Sequence, residues 1–150
     1  MTDSDTADVV EAVRALARAS RILERASGEL SLAHYRVLAA VASGDERASR
    51  VAMRLALGKP TVSATVESLC KRGLLDRSGA ETDQRVAVLS LTDEGRALLD
   101  DVESAMIGRI EDLVAGTPGG ERLIESLVWL GRAIDDAMTQ QGVARRGGGR

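Results

Sequence analysis

The sequence predicts a mostly α-helical fold with a small β wing: a winged helix-turn-helix set between longer flanking helices. Three observations predict it. Apolar residues recur at spacings of three and four along most of the chain, the period of an amphipathic helix. One polar stretch, "GAETDQ", separates two short segments of strand character, "LLDRS" and "RVAVLSL", as a hairpin loop does. The first and last helical segments carry apolar stripes wider than one small domain covers. A symmetric pair of chains would bury them, so they are read as flanking dimerisation helices.

The elements follow in order. A first helix is read over 8–26, where Val9, Val13, Leu16 and Leu23 step by three, four and seven. "SGEL" breaks it. Ser31 is placed to cap a second helix, "LAHYRVLAAVA", expected to pack through Leu32, Tyr35, Leu38 and Ala39. "SGDERAS" ends that helix at Gly44, and a short helix over 48–55 precedes the turn "LGK". Pro60 falls in the first turn of the next helix, 59–70, where its missing N–H costs nothing. Val62, Val66 and Leu69 form the inward stripe of that helix. Thr61, Ala64, Thr65 and Ser68 form the expected exposed set, with Ser63 at its flank, and Gly73 is a natural C-cap.

In the second strand, Val86, Val88 and Ser90 alternate with Ala87, Leu89 and Leu91. Thr92 caps a long helix to about 114, with Asp93 and Glu94 in the first turn, where acidic side chains favour the helix dipole. Leu99, Val102, Met106, Ile110 and Leu113 make its stripe. After the break "AGTPGG", a last helix over 121–138 carries Leu123, Leu127, Leu130, Ile134 and Ala137. The organisation read from this is an N-terminal dimerisation helix (1–30), a winged unit (31–91), C-terminal dimerisation helices (92–140) and a disordered basic Gly/Arg tail (141–150).

Composition narrows the function. Tyr35 and Trp129 are the only aromatic residues, so the core is aliphatic and rings for stacking single-stranded bases are scarce. Cys70 is the one cysteine and forms no intrachain disulfide; no Cys or His cluster suits a metal, and none is expected. "MTDSDTADVV" lacks the basic region and apolar core of a signal peptide. No run approaches the roughly 18 apolar residues of a membrane span. A cytoplasmic protein without membrane contact is expected.

The net charge is −3, unevenly spread. Residues 47–85 hold eight Lys/Arg against four Asp/Glu, whereas 91–140 hold four against eleven. Segregation of this kind offers a basic face to phosphates, although ordinary surface variation also produces it. The residues within the basic segment are more specific. The 59–70 helix is the candidate recognition helix, because small hydroxylated residues let a backbone sit deep in a major groove. There Ser and Thr reach base edges or phosphate, and methyl groups meet thymine. Lys59, at the helix N-terminus, is placed for a phosphate. Arg47 and Arg50 open the preceding helix as candidate phosphate clamps, and Arg54 lies on the same helix. In the hairpin, Arg85 is a candidate for the narrow minor groove. Asp83, two residues away, is placed to orient its guanidinium; Glu81 lies nearby and Arg77 on the facing strand.

"LGKPTVSATVESLCKRGLLDRS" followed by "ETDQRVAVLSLTDEGRALL" resembles the winged helix-turn-helix core of the MarR family of bacterial transcriptional regulators. The family's wing signature places an aspartate and an arginine two apart before a strand and a Leu-Thr-x-x-Gly-Arg helix start. Here those residues are Asp83, Arg85, Leu91, Thr92, Gly95 and Arg96. The clear match covers about 32–99, and the flanking helices fit by order and length. The resemblance implies an obligate homodimer with the first and last helices as its dimerisation part: Val9, Val13 and Leu16 on one, Leu123, Leu127, Leu130 and Ile134 on the other. It implies binding of double-stranded DNA at a pseudo-palindromic operator, usually as a repressor. The helix bearing Thr61 to Ser68 then enters the major groove and Arg85 the minor groove.

Many such proteins release DNA on binding a small aromatic or lipophilic effector. The region bordering that cavity in the family corresponds to His34 and Tyr35 here, and Arg14 and Arg18 on the first helix are placed to meet an anionic ligand. No other cofactor is expected. Members that sense oxidation use a cysteine near the N-terminal helix; Cys70 lies instead at the end of the recognition helix and reads as a small, buried or half-buried residue. No phosphate loop, dinucleotide fingerprint or nucleophile elbow is present, so no enzyme activity is expected. The rival reading is a protein–protein interaction module built on helical dimerisation without DNA binding. It accounts for the terminal stripes but not for the wing.

Overall fold

The computed structural model describes residues 3–79 and 87–147, with side chains for 5–79 and 87–140. The order is α1 (Asp3–Ala26), α2 (Leu32–Ala42), α3 (Ala48–Arg54), α4 (Lys59–Lys71), β1 (Leu75–Ser78), β2 (Val88–Leu91), α5 (Asp93–Ala115) and α6 (Gly120–Gly147). This is the expected sequence of elements, mostly helical with one two-stranded antiparallel sheet.

The caps act as their chemistry dictates. The Ser31 hydroxyl accepts the His34 backbone N–H at 3.3 Å and starts α2. Thr92 accepts the Gly95 N–H at 2.9 Å and starts α5. Gly73, at φ +71°, closes α4: its own N–H reaches the Cys70 carbonyl and the Leu74 N–H reaches the Leu69 carbonyl, both at 3.0 Å. The α3–α4 turn is made the same way but without glycine. Ala56 sits at φ +51°, while Leu57 N–H bonds to the Ala52 carbonyl at 3.0 Å. A Cβ is disfavoured in that left-handed region, so Ala56 holds the turn under strain.

One core serves the central elements. Val37, Leu38 and Val41 of α2 meet Val51 and Ala52 of α3, Val62, Val66 and Leu69 of α4, Leu75 of β1 and Leu89 of β2. Leu99, Val102 and Met106 of α5 close it from the other side. The wing register pairs Leu75 with Leu91, Arg77 with Leu89 and Ser78 with Val88. Leu89 N–H also reaches the Glu46 carbonyl at 2.7 Å, which draws the segment before α3 alongside β2.

A second lock ties the recognition helix to α5. The Thr92 hydroxyl donates to the Gly73 carbonyl at 2.7 Å, and the Thr92 N–H reaches the Leu74 carbonyl at 3.3 Å. The backbones come so close here that a Cβ on Gly95 would overlap the Leu74 carbonyl oxygen. That contact explains why the Leu-Thr-x-x-Gly pattern needs its glycine.

The structure differs from the sequence reading in several places. α1 begins at Asp3 rather than near residue 8, because an acidic, polar opening suits a helix N-terminus. Within α2, Leu38 is buried as expected, but Leu32, Tyr35 and Ala39 are only half-buried; Val37, Ala40 and Val41 take the inner places. α2 packs against α3, α4, α5 and β2 at once, so its buried face is wider than one stripe. β2 begins at Val88, with Ala87 outside it. α6 continues through 141–147, part of the stretch read as a disordered tail, since "QGVARR" has only one weak helix former.

The terminal helices are different in kind. Val9, Val13 and Leu16 of α1 are exposed, Val13 at 61%. Leu123, Leu127 and Ile134 of α6 are exposed and Leu130 is half-buried. Val10, Ile124, Val128 and Trp129 extend the same apolar surface, Trp129 at 69% exposure. α1 packs on α5, and α6 on α5 and α3, without covering these residues.

Candidate nucleic-acid interface

The inward stripe of α4 fixes what the rest of the helix presents. With Val62, Val66 and Leu69 buried, Lys59, Pro60, Thr61, Ser63, Ala64, Glu67 and Lys71 face solvent. Thr61 and Ala64 are thus exposed as expected. Ser63 is exposed as well, rather than only flanking. Thr65 and Ser68 depart from the expected exposed set: both are half-buried. Thr65 lies three residues after Val62 and directly before Val66, beside the buried stripe, and its hydroxyl turns back to the Thr61 carbonyl at 2.9 Å. Ser68 directly precedes Leu69 and meets His34 of α2 at 3.1 Å.

Glu67 is the outward residue that the sequence reading passed over. It lies at the middle of the exposed face, one turn before Lys71, with which it forms an ion pair at 2.8 Å. The Lys71 hydrogen bond holds the Glu67 carboxyl below the usual carboxylate range, and the same bond raises the Lys71 ammonium. The signal was available: position 67 falls three after Ala64 on the face already chosen.

The basic residues fall into three groups. Arg47 is the N-cap of α3 and Arg50 lies in its first turn; both are exposed. Arg54, in the last turn, is tied to Asp45 at 3.2 Å. Lys59 stands at the open N-terminus of α4, which Gly58 caps without a side-chain bond. Arg77 projects from β1 opposite Leu89 and is exposed. Glu81, Asp83 and Arg85 lie outside the described residues. α3, α4 and the wing strands adjoin one another, so the DNA-directed candidates that are described share one end of the unit.

The four pocket candidates do not converge. Arg14 is exposed and paired with Glu11 at 2.8 Å, and Arg18 is exposed on the same helix. The His34 ring lies between Ser31 and Ser68. Burial pushes its pKa down, and the nearby Arg72 cation adds to the effect. The Tyr35 hydroxyl donates to Glu103 at 3.4 Å; burial first, then the Glu103 charge and hydrogen bond, pushes its pKa up. A separate groove of about 400 Å³ between α1 and α5 is lined by Ile22, Arg25, Arg109, Asp112 and Leu113, none of them among the four. Cys70 is half-buried, and burial pushes its thiol pKa up, which favours the protonated form. Among the described residues, no group of three His, Cys, Asp or Glu is arranged to hold a metal. Among them, too, no helix is long and apolar enough to cross a membrane.

Residues 29–86, which span α2 to the wing, match the MarR family model. This segment is similar to the winged helix-turn-helix of the MarR family. Solved structures extend the likeness beyond the matched segment. The transcriptional repressor CouR bound to a 23-mer DNA duplex is 26% identical, with a TM-score of 0.70 over 82% of this chain and 89% of that one. The PcaV transcriptional regulator from Streptomyces coelicolor, in complex with its natural ligand, is also 26% identical. Its TM-score is 0.63, covering 83% of this chain and 89% of that one. Staphylococcus aureus MarR in complex with salicylate and kanamycin shares the fold at 17% identity, with a TM-score of 0.77 over 92% and 95% of the two chains. No curated protein matches the sequence significantly.

Proposed function

We propose that this protein belongs to the MarR family and is a dimeric, sequence-specific DNA-binding transcriptional regulator that acts as a repressor and responds to a small effector. The observation that carries the reading is α4. A helix with a fully buried back and a small, hydroxylated front stands beside a two-stranded wing. Such a front admits the backbone to a major groove. Lys59 and the free N–H groups of the helix N-terminus meet a phosphate, and Arg47 and Arg50 grip the strand flanking it. Thr61, Ser63, Ala64 and Glu67 face base edges, and Arg85 at the wing reaches the adjacent minor groove. The likeness to CouR, a repressor whose structure holds a DNA duplex, supports this reading.

Dimerisation follows from the apolar surface of α1 and α6. A second copy covers it by symmetry and sets two α4 helices roughly 34–36 Å apart, one turn of duplex. The effector is a small aromatic or lipophilic molecule, seated near Tyr35 where the winged unit meets the dimerisation helices. Binding there works by favouring dimers whose two α4 helices are wrongly spaced for the operator. PcaV and S. aureus MarR, both solved with small ligands, support a ligand-responsive reading.

Selection from a random duplex pool tests the function directly. The purified dimer is expected to enrich a pseudo-palindrome and to lose affinity steeply as salt rises. A dimer that enriches no duplex at low salt would leave the protein-interaction reading in its place. Lys59→Ala is expected to weaken all duplexes alike, and Glu67→Gln to alter preference at one position in each half-site.

A further inference from the structure

His34 is the only histidine in the chain, and it joins two helices. Its Nδ1 lies 2.6 Å from the Ser31 hydroxyl at the α2 N-cap, and its Nε2 lies 3.1 Å from the Ser68 hydroxyl on α4. Three other helical hydroxyls, those of Thr65, Ser126 and Thr139, donate to the carbonyl four residues back in their own helix. Ser68 instead engages a ring from a neighbouring element, on the flank of the helix proposed to enter the groove.

The tautomer of the ring sets the direction of both hydroxyl bonds. A neutral imidazole has one N–H donor and one bare acceptor. Burial and the Arg72 cation favour that neutral form, as does the positive end of α2. Ser31 accepts the His34 backbone N–H as the helix cap, and in the Nε2–H tautomer it also donates its own hydrogen to Nδ1. Nε2 then carries the proton and donates to Ser68. Ser68 accepts from the ring, and its own hydrogen is left to donate elsewhere. Acceptors abound at a groove: purine N7, guanine O6, thymine O4 and phosphate oxygen.

We propose that His34 is a positioning residue for the recognition helix, which holds Ser68 as a hydrogen-bond donor to an acceptor on the operator. The proposal rests on the regulator reading above, and it adds a residue of α2 to the determinants of binding. His34 thereby serves the DNA end of the molecule rather than an effector cavity.

The test uses the full chain and the duplex selected by the parent. Glutamine places an amide nitrogen near the position of Nε2; asparagine places one near Nδ1. His34→Gln is expected to bind within about threefold of the parent. His34→Asn, His34→Ala and Ser68→Ala are each expected to lose about tenfold, the effect of roughly one hydrogen bond. The double variant H34A/S68A is expected to lose no more than either single one. A loss confined to one base-pair position identifies a base acceptor; a uniform loss across sequences identifies phosphate. Circular dichroism confirms that each variant is folded, and Ser68→Ala keeps the test open if a His34 variant is not. Rescue by asparagine but not glutamine would mean that the ring serves only the cap, which overturns the proposal. So would additive losses, or variants that bind like the parent. A parent that selects no duplex removes the regulator reading and this proposal with it.

Discussion

Val66 and Val13 are the same residue on the same kind of element, yet one is fully buried and the other is 61% exposed. Val66 belongs to α4, whose inner stripe is enclosed by α2, α3, the wing and α5. Val13 belongs to the N-terminal part of α1, where Val9, Val13 and Leu16 are exposed, while Leu23 and Ala26 of the same helix pack against the core. The winged unit therefore completes its core within one chain, whereas α1 and α6 leave theirs unfinished. The contrast teaches that the two regions are stabilised by different partners. The first depends on side chains from the same chain; the second, in the proposed dimer, depends on mass action with a second copy.

Charges placed on the unfinished surface should give the largest effect. Val13→Asp together with Leu127→Asp puts unpaired carboxylates into a symmetric interface twice over, at about 3–5 kcal/mol for each buried charge. Sedimentation should find monomers, while hydrogen exchange keeps α2 to α4 protected; loss of protection there would show that the winged unit is not self-sufficient. Leu69→Ala attacks the finished core instead. It should cost about 3 kcal/mol in chemical unfolding while the chain still dimerises. Gly95→Ala should cost about 2 kcal/mol, because the new methyl group must push α5 away from the Leu74 carbonyl. Its effect on DNA affinity should exceed its effect on dimerisation, since the contact sets the end of α4.

Two smaller effects sharpen the picture. The His34 pKa is lowered in the folded protein, so the unfolded chain binds its proton at the higher pH. Stability contributed by keeping this ring neutral is full above about 6.5 and declines as pH falls through and below that value. Chemical unfolding across this range should show the decline in the parent and not in His34→Gln. Smallest of all, Ala56→Gly should stabilise the protein by about 0.5–1 kcal/mol, because relief of left-handed strain exceeds the added freedom of the unfolded chain. A neutral or destabilising result in thermal unfolding would show that the turn holds no strain.

The same contrast explains what could be read from the sequence. Elements and caps were legible because they are local: Ser31, Thr92, Gly73 and the valine stripe of α4 act on neighbours within a few residues. The apolar stripes of α1 and α6 were legible too, since periodicity records that a face is apolar. What stayed hidden was contact between distant segments. Thr65 and Ser68 belonged to the outward set by type, and only the packing of α2 beside α4 turned Ser68 towards His34. The pocket candidates rest on the family's cavity region for His34 and Tyr35 and on charge for Arg14 and Arg18; the structure gives Arg14, His34 and Tyr35 separate partners. Helix ends also eluded the reading where no strong breaker stood, as at Asp3 and through 141–147.

By itself the sequence determined the order of helices, the wing strands, the caps and which faces are apolar, because each is written in spacings of a few residues. Only the tertiary structure decided which apolar faces are covered, which hydroxyls of α4 look outward and that one histidine bridges two helices. Those outcomes depend on contacts between separate elements, 34 residues apart in the case of His34 and Ser68, and short-range spacing carries no record of that approach.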